Sequence, residues 1–246
     1  MCESCFENEE TRAPEAVGSR RLFLLLGLGA LIGCAQQTVY SPTPSPPWPA
    51  HAPSRPAVTL EGTAFPKPQV PVSGLWPKHV IARSAWAQGD PVPMRMDRMQ
   101  TIRHITVHHD GMEPFFETDP PSVSAHLEGI RRLHQRKGWG DIGYHFAVDP
   151  AGRIWECRSL GWQGAHVKDH NPGNIGIVVL GNFEQQSPSD AQLAGVRRHV
   201  TMLMRVYNVP KSRVHTHQEW QGAKTACPGA KLQHSLDQIR VTGGFG

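Results

Sequence analysis

The 246-residue sequence lacks long basic runs and long apolar runs, and each absence argues against a class of protein. Lys and Arg are not clustered and the formal net charge is only +4, which argues against a nucleic-acid-binding surface. The apolar run at residues 22–33 is too short for a membrane-spanning helix, which needs roughly 20 residues. Charged residues make up 19% and hydrophobic residues 39%, a balance that indicates a segment outside any folded core.

Cysteine is also scarce, and the five cysteines fall into three groups. Cys2 and Cys5 form a C-x-x-C with no second pair, which is weak support for a metal or redox centre. Cys34 follows Leu-Ile-Gly, which resembles a bacterial lipobox, where the cysteine is acylated and becomes the mature N-terminus. An oxidising compartment would allow Cys157 and Cys227 to pair. We predict instead that Cys157 is a small buried residue on a strand and that Cys227 has another use.

An export signal and a tether precede the folded part of the chain in our interpretation. Residues 1–33 combine Arg20-Arg21 with the apolar run, as twin-arginine and general export signals do. Residues 34–77 contain eleven of the chain's 22 prolines, which favours an extended tether. We therefore expect an exported bacterial lipoprotein, anchored to a membrane by lipid on Cys34 and facing the periplasm or cell wall. An ordinary cleaved signal peptide is the alternative.

Residues 78–243 have a globular composition in which strand patterns alternate with helix patterns. This alternation predicts one α/β domain with a central mixed sheet flanked by helices. The predicted strands are Ile102–His108, Tyr144–Asp149, Arg153–Arg158 and Ile175–Leu180. The predicted helices cover 121–137, a segment that opens at a capping box on Ser189, and 231–240.

The run from residue 213 to residue 229 carries three residues that bind transition metals in proteins, His215, His217 and Cys227. Neutral imidazole and thiolate are ligands that zinc selects. A catalytic zinc site needs a further protein ligand and an open position, so a partner must lie elsewhere in the chain.

Strand Ile102–His108 offers that partner. Alternation sends Ile105 and Val107 toward a core and leaves His108 facing outward at the carboxyl end of the strand, where α/β sheets place their sites. His109, the next residue, is the alternative ligand.

Four segments resemble the peptidoglycan recognition proteins and the wider zinc N-acetylmuramoyl-L-alanine amidases, including the phage-type enzymes. They are Val107–His109, Gly138–Arg158, Gly164–Glu184 and Thr225–Gly229. The resemblance implies a groove over a Zn²⁺ ion and cleavage of the amide between N-acetylmuramic acid and L-alanine. It also implies peptidoglycan or muropeptides as partners. We expect a monomer.

The resemblance also implies individual roles. The zinc ligands are His108, His217 and Cys227. The catalytic residues are Tyr144 and either Thr225 or Lys224, and the substrate-binding residues are His166 and His109. Strand alternation places Tyr144 on the face of Phe146 and Val148, so a core tyrosine is the alternative for that residue.

Two departures from the family leave alternatives open. Lys224 stands one position before the assisting position, which Thr225 occupies, so either residue is a candidate for that role. Ten positions separate His217 from Cys227, two more than in animal recognition proteins, and this makes His215 a competing ligand. A peptidoglycan-binding module without activity is the alternative function, although the chain keeps all three ligands. An exported zinc peptidase is a third.

Overall fold

The structure is a computed structural model, and it describes residues 79–245. The predicted export signal at residues 1–33, the lipidation of Cys34 and the tether at residues 34–77 lie outside this range. Across residues 79–245, no helix combines the length and the apolar character needed to cross a bilayer.

Six short strands form one mixed sheet. They are Val80–Ile81 (β1), His104–His109 (β2), Phe146–Val148 (β3), Ile154–Glu156 (β4), Asn174–Val179 (β5) and Val214–Thr216 (β6). Their order across the sheet is β1-β4-β3-β5-β2-β6. β4 runs antiparallel to β3, and the other neighbouring pairs are parallel. The predicted α/β fold with a central mixed sheet is confirmed.

Three helices flank the sheet: Pro120–Arg136 (α1), Asp190–Tyr207 (α2) and Ala230–Val241 (α3). α1 begins after Asp119, whose side chain accepts the N–H of Ser122. α2 begins at a capping box formed by Ser189 and Gln192, as the sequence predicts. Helices α1 and α3 match their predicted bounds to within one residue at each end.

Each face of the sheet packs against its own apolar cluster, because successive strand residues point to opposite sides. One face packs against the helix pair α2 and α3 and is called the helix-pair face. It carries Ile105, Val107, Ile175 and Ile177, which cluster with helix residues such as Val200 and Leu232. The opposite face packs against α1 and is called the groove face, after the groove that the family resemblance implies. It carries Val178 and Ala147, which cluster with residues of α1 such as Leu127. Both faces of the central strands are therefore buried.

The sheet differs from the sequence-based prediction in two details. Strands β1 and β6 are not predicted, because two or three residues are too few for alternation to be recognised. The predicted strand at residues 144–149 is shorter, since β3 begins at Phe146. Tyr144 therefore lies in the cluster with α1, whereas Phe146 and Val148 lie in the cluster with α2 and α3.

Candidate metal centre

The register of the sheet brings two predicted metal ligands together. Parallel pairing of β2 with β6 aligns Val107 with Thr216, so the next residues, His108 and His217, lie side by side. Their ring centroids are 4.8 Å apart. A short 3-10 turn, His217–Glu219, follows β6 and carries the second histidine.

Cys227 reaches the same place from the loop between β6 and α3. Its N–H donates to Thr225 Oγ1 at 2.9 Å, and its carbonyl accepts the N–H of Gln218 at 2.9 Å. These bonds hold Cys227 Sγ 3.6 Å from His108 Nδ1. Gly229 has a φ of +90°, and a Cβ there would lie 2.6 Å from the backbone of Phe183. Only glycine fits that turn.

The three predicted ligands therefore converge. One ligand atom each from His108, His217 and Cys227 lies within 4.8 Å of the other two, and all three side chains are buried. Within residues 79–245, this is the one group of three or more His, Cys, Asp or Glu residues with metal-binding spacing. This cluster could hold a metal ion.

His108 lies on the groove face, as alternation predicts, but the expectation that it faces outward is wrong. Its exposed fraction is 0%. The rings of Tyr144, His166 and His217 pack around it, with centroids between 4.8 and 5.2 Å away. The candidate metal centre is therefore buried, and one of its three residues, His217, lines a cavity.

His215 does not join the cluster. Its ring packs against Trp220, with centroids 4.7 Å apart, and against His104 at 5.6 Å. Trp220 donates its Nε1–H to Thr106 Oγ1 at 2.9 Å and stacks on His170. His215 thus helps to hold the loop that follows His217.

His109 lies on the other face of β2 from His108. It is 3% exposed, its Nδ1 accepts the N–H of Phe183 at 3.3 Å, and its ring stacks on Phe183. Neither the substrate-binding role predicted for His109 nor the alternative role as a ligand is supported by this placement.

His166 is enclosed beside the candidate metal ligands. Its Nδ1 lies 3.0 Å from His108 Nε2, and its Nε2 lies 3.2 Å from the carbonyl oxygen of Asn174. Burial holds the pKa of His166 well below its ordinary value, so the ring is neutral. Both nitrogens already have partners within the protein. The ring has no N–H left for a substrate, and the substrate-binding role predicted for His166 is not supported.

Tyr144 lies beside the candidate ligand His108, a position that is compatible with the catalytic role predicted for it. Its ring centroid is 5.2 Å from that of His108 and 5.7 Å from that of His134. His134 is fixed in turn, because its Nδ1 accepts the N–H of Gly143 at 2.9 Å. Tyr144 is also 4% exposed and belongs to the apolar cluster with α1, so it packs like a core residue while touching the site.

A cavity of about 330 Å³ opens beside His217, between the loops at residues 167–170 and 220–224. Lys224 lines this cavity, together with Lys168. The Thr225 hydroxyl instead accepts the N–H of Cys227. The two candidates for an assisting residue thus have different surroundings.

His145, which the sequence patterns do not single out, packs beside His166, with ring centroids 5.8 Å apart. Its Nδ1 accepts the N–H of Gly176 at 3.0 Å, and its Nε2 lies 3.1 Å from the carbonyl oxygen of Trp162. Burial lowers the pKa of His145 to about 3, so it is neutral. Its position next to Tyr144 is the signal that could have drawn attention to it.

Cys157, predicted to be a small buried residue on a strand, lies just after β4 and is a fully buried free thiol. It is therefore not paired with Cys227. Burial raises the pKa of Cys157 well above its ordinary value, which makes it unreactive.

Comparison with known proteins agrees with this geometry. The sequence model of the family described as N-acetylmuramoyl-L-alanine amidase (Amidase_2) matches residues 98–230, which include all three candidate ligands. The chain belongs to this amidase family. Its relatives include a peptidoglycan-recognition protein of Drosophila melanogaster, which is 34% identical over 161 residues. That alignment covers 64% of this chain and 85% of the relative.

Enzymes and recognition proteins both appear among the similar proteins. The N-acetylmuramoyl-L-alanine amidase of Homo sapiens is 38% identical over 94 residues, which are 38% of this chain and 16% of the human protein. The bumblebee recognition protein PGRP-SA matches with a TM-score of 0.57 and 27% identity, over 65% of this chain and 93% of its own. The amidase LysC of Clostridium intestinale has the same fold, with a TM-score of 0.51 and 22% identity, over 67% of this chain and 99% of its own.

Proposed function

We propose that this member of the amidase family is a zinc-dependent enzyme that hydrolyses the amide bond between N-acetylmuramic acid and L-alanine in peptidoglycan. The observation that carries the proposal is the convergence of His108, His217 and Cys227 beside an open cavity. Peptidoglycan fragments as substrate are supported by a solved neighbour, 27% identical, in which tracheal cytotoxin is bound to the ectodomain complex of the recognition proteins LCa and LCx.

The ligand set fits zinc in chemistry and in spacing. Thiolate together with imidazole is a donor combination that zinc prefers over hard cations. A tetrahedral zinc ion, with Zn–S near 2.3 Å and Zn–N near 2.05 Å, separates the sulfur and nitrogen by about 3.6 Å. Cys227 Sγ and His108 Nδ1 are 3.6 Å apart. Three protein ligands leave one position for water or substrate, which is the pattern of catalytic zinc sites.

Zinc held by these ligands would acidify a water molecule and polarise the carbonyl of the scissile amide. We assign the Tyr144 hydroxyl to stabilising the oxyanion that develops on that carbonyl, because its ring packs against His108. Lys224 faces the cavity beside His217, where its ammonium group would favour the same negative charge. Thr225 holds the backbone of Cys227 and so positions the thiolate.

Mass spectrometry of muropeptides tests the proposal. The wild-type protein should release stem peptides from the N-acetylmuramic acid residues, a chelator should stop the release, and added zinc should restore it. Cys227→Ala should abolish both tight zinc binding and cleavage. Cys157→Ala removes a buried thiol outside the ligand set and is the matched control, which should retain both.

Three results would contradict the proposal. Unchanged turnover by Cys227→Ala would rule out zinc catalysis through this site. Binding of muropeptides without release of peptide would make the protein a recognition module. Cleavage of free peptides that lack muramic acid would identify a peptidase.

We further propose that Cys34 is acylated and that residues 34–77 tether the domain to a bacterial membrane. The lipobox-like sequence before Cys34 and the proline content of residues 34–77 support this. Cys34→Ser should move the protein from the membrane fraction to the soluble fraction after cell lysis. Retention of the variant in the membrane fraction would indicate a different anchor.

A further inference from the structure

The fold keeps a closed space for the ring of His166, which is 4% exposed. A Cβ on Gly176 would lie 2.5 Å from the His166 ring, and a Cβ on Gly164 would lie 2.4 Å from it. Real Cβ atoms essentially never approach that closely, so two glycines are required where the ring sits. The two glycines therefore leave room for the His166 ring in this one orientation, beside His108.

The hydrogen bonds of His166 determine where its proton is. A backbone carbonyl only accepts hydrogen bonds, so the His166 Nε2 that faces the carbonyl of Asn174 at 3.2 Å carries the proton. The ring is enclosed, which favours its neutral form. His166 Nδ1 is therefore an acceptor.

The proton position on His166 also determines the proton position on His108. Its Nε2 lies 3.0 Å from the acceptor Nδ1 of His166 and must carry the proton. The lone pair of His108 is then on Nδ1, the atom that lies 3.6 Å from Cys227 Sγ. The carbonyl of Asn174 thus determines, through His166, which nitrogen of His108 is available to a metal.

The carbonyl of Asn174 is itself fixed. The Asn174 side chain accepts from Thr106 Oγ1 at 2.9 Å and donates to the carbonyl of His170 at 2.9 Å. The backbone N–H of His166 donates to Asn171 Oδ1 at 2.8 Å. Both ends of the connection are therefore held by partners outside the ligand set.

We propose that His166 is a positioning residue, which fixes the tautomer and the orientation of His108 so that its Nδ1 faces the metal. The inference rests on the metal centre of the proposed function. Partners behind a metal ligand typically contribute 10–100-fold to metal affinity, so loss of this contact should weaken zinc binding by about that factor.

Two substitutions of His166 separate positioning from packing. His166→Leu removes the acceptor and should lower zinc affinity by about 10–100-fold, measured by competition with a chromophoric chelator. His166→Asn puts an amide oxygen close to the former Nδ1 and should recover most of that affinity. Equal zinc affinity in wild type and His166→Leu would overturn the proposal, and so would equal losses in the Leu and Asn variants.

Gly176→Ala tests the same contact without changing a polar atom. The added methyl group should displace the His166 ring and weaken zinc binding in the same direction as His166→Leu. Gly129→Ala is the matched control, because a Cβ at Gly129 meets nothing within 4 Å and this glycine is exposed on α1. A Gly176→Ala variant that binds zinc as tightly as Gly129→Ala would contradict the proposal.

Nitrogen-15 NMR of the histidine rings in the metal-free protein reads the tautomer directly, and it decides the question even where a variant does not fold. Wild-type His108 should be protonated at Nε2 and His166 at Nε2. A wild-type His108 protonated at Nδ1 would overturn the inference. This readout needs neither zinc nor turnover, so it distinguishes failure of the positioning role from failure of the proposed amidase activity.

Discussion

The two faces of the sheet differ in what their buried residues require from their neighbours. On the helix-pair face, β2 and β5 supply mainly aliphatic side chains, whose burial requires close packing alone, and His109 at the end of β2 is the exception. On the groove face, the same strands supply Val178, a glycine and several polar groups, and each polar group needs a hydrogen-bond partner in a defined direction. The polar residues and the glycine of this second set include Thr106, His108, Asn174 and Gly176.

Three buried histidines, His145, His166 and His199, illustrate the contrast. On the groove face, both ring nitrogens of His145 and His166 lie within hydrogen-bond distance of partners. On the other face, His199 packs against Phe146 and neither of its ring nitrogens has a hydrogen-bond partner within residues 79–245. We therefore expect substitutions on the helix-pair face to change stability, and substitutions on the groove face to change chemistry.

Ile177→Ala should give the largest loss of stability. Ile177 is fully buried on the helix-pair face, so its truncation leaves a cavity and should lower the free energy of unfolding by about 2–5 kcal/mol. Ile177→Val is the matched control, with an expected loss of about 0.5–1.5 kcal/mol. Denaturant unfolding of the zinc-loaded protein measures both. If Ile177→Ala instead lowered zinc affinity strongly and left stability unchanged, the proposed difference between the two faces would be wrong.

Tyr144→Phe should change chemistry alone. Removing the hydroxyl group leaves the packed ring in place, so stability and zinc affinity should stay the same while turnover falls about 100-fold or more, as for loss of one oxyanion donor. Muropeptide cleavage rates measure the effect. An unaffected rate would make Tyr144 a core residue that happens to lie beside the site.

His199→Leu should reduce the acid sensitivity of folding. Burial, together with the charges of His79 and Arg198, lowers the pKa of His199 to about 3. The unfolded chain binds a proton there below pH 6.5 and the folded chain does not, so stability is lost as pH falls from 6.5 toward 3. Each histidine of this kind contributes about 1.4 kcal/mol per pH unit.

The variant should therefore show a shallower decline in unfolding free energy between about pH 6.5 and about pH 4, by about that amount per pH unit. At neutral pH it should also be more stable by about 1 kcal/mol, because two unsatisfied nitrogens are removed. Urea unfolding at several pH values measures both quantities. The same pH slope in variant and wild type would show that His199 is solvated in the folded state.

Lys224→Gln and Thr225→Val should give the smallest effects and should differ in kind. Lys224 lines the cavity, so its loss should lower turnover by about tenfold, or about 1.4 kcal/mol, with little change in zinc affinity. Thr225 holds the N–H of Cys227, so its loss should weaken zinc binding first. Chelator competition and cleavage rates on both variants test this. The opposite pattern would make Thr225 the assisting residue.

Much of the fold follows from local pattern. The alternation of Ile105 and Val107 and the capping box at Ser189 predict β2 and α2, because periodicity and caps are local properties. Strand β6 is missed because its three residues form a strand only through pairing with β2. Tyr144 is placed on the wrong face because regular strand geometry begins two residues later, at Phe146.

The sequence alone identified His108, His217 and Cys227 as ligand candidates, and it also indicated the family. Both follow from residue types and from the order of the motifs, which can be read without the structure. Only the tertiary structure decided that His215 lies outside the cluster, that His109 faces away from it, and that His166 lies against His108. Those three placements depend on strand register and side-chain packing. Both arise when distant segments pair, and no local stretch of sequence contains them.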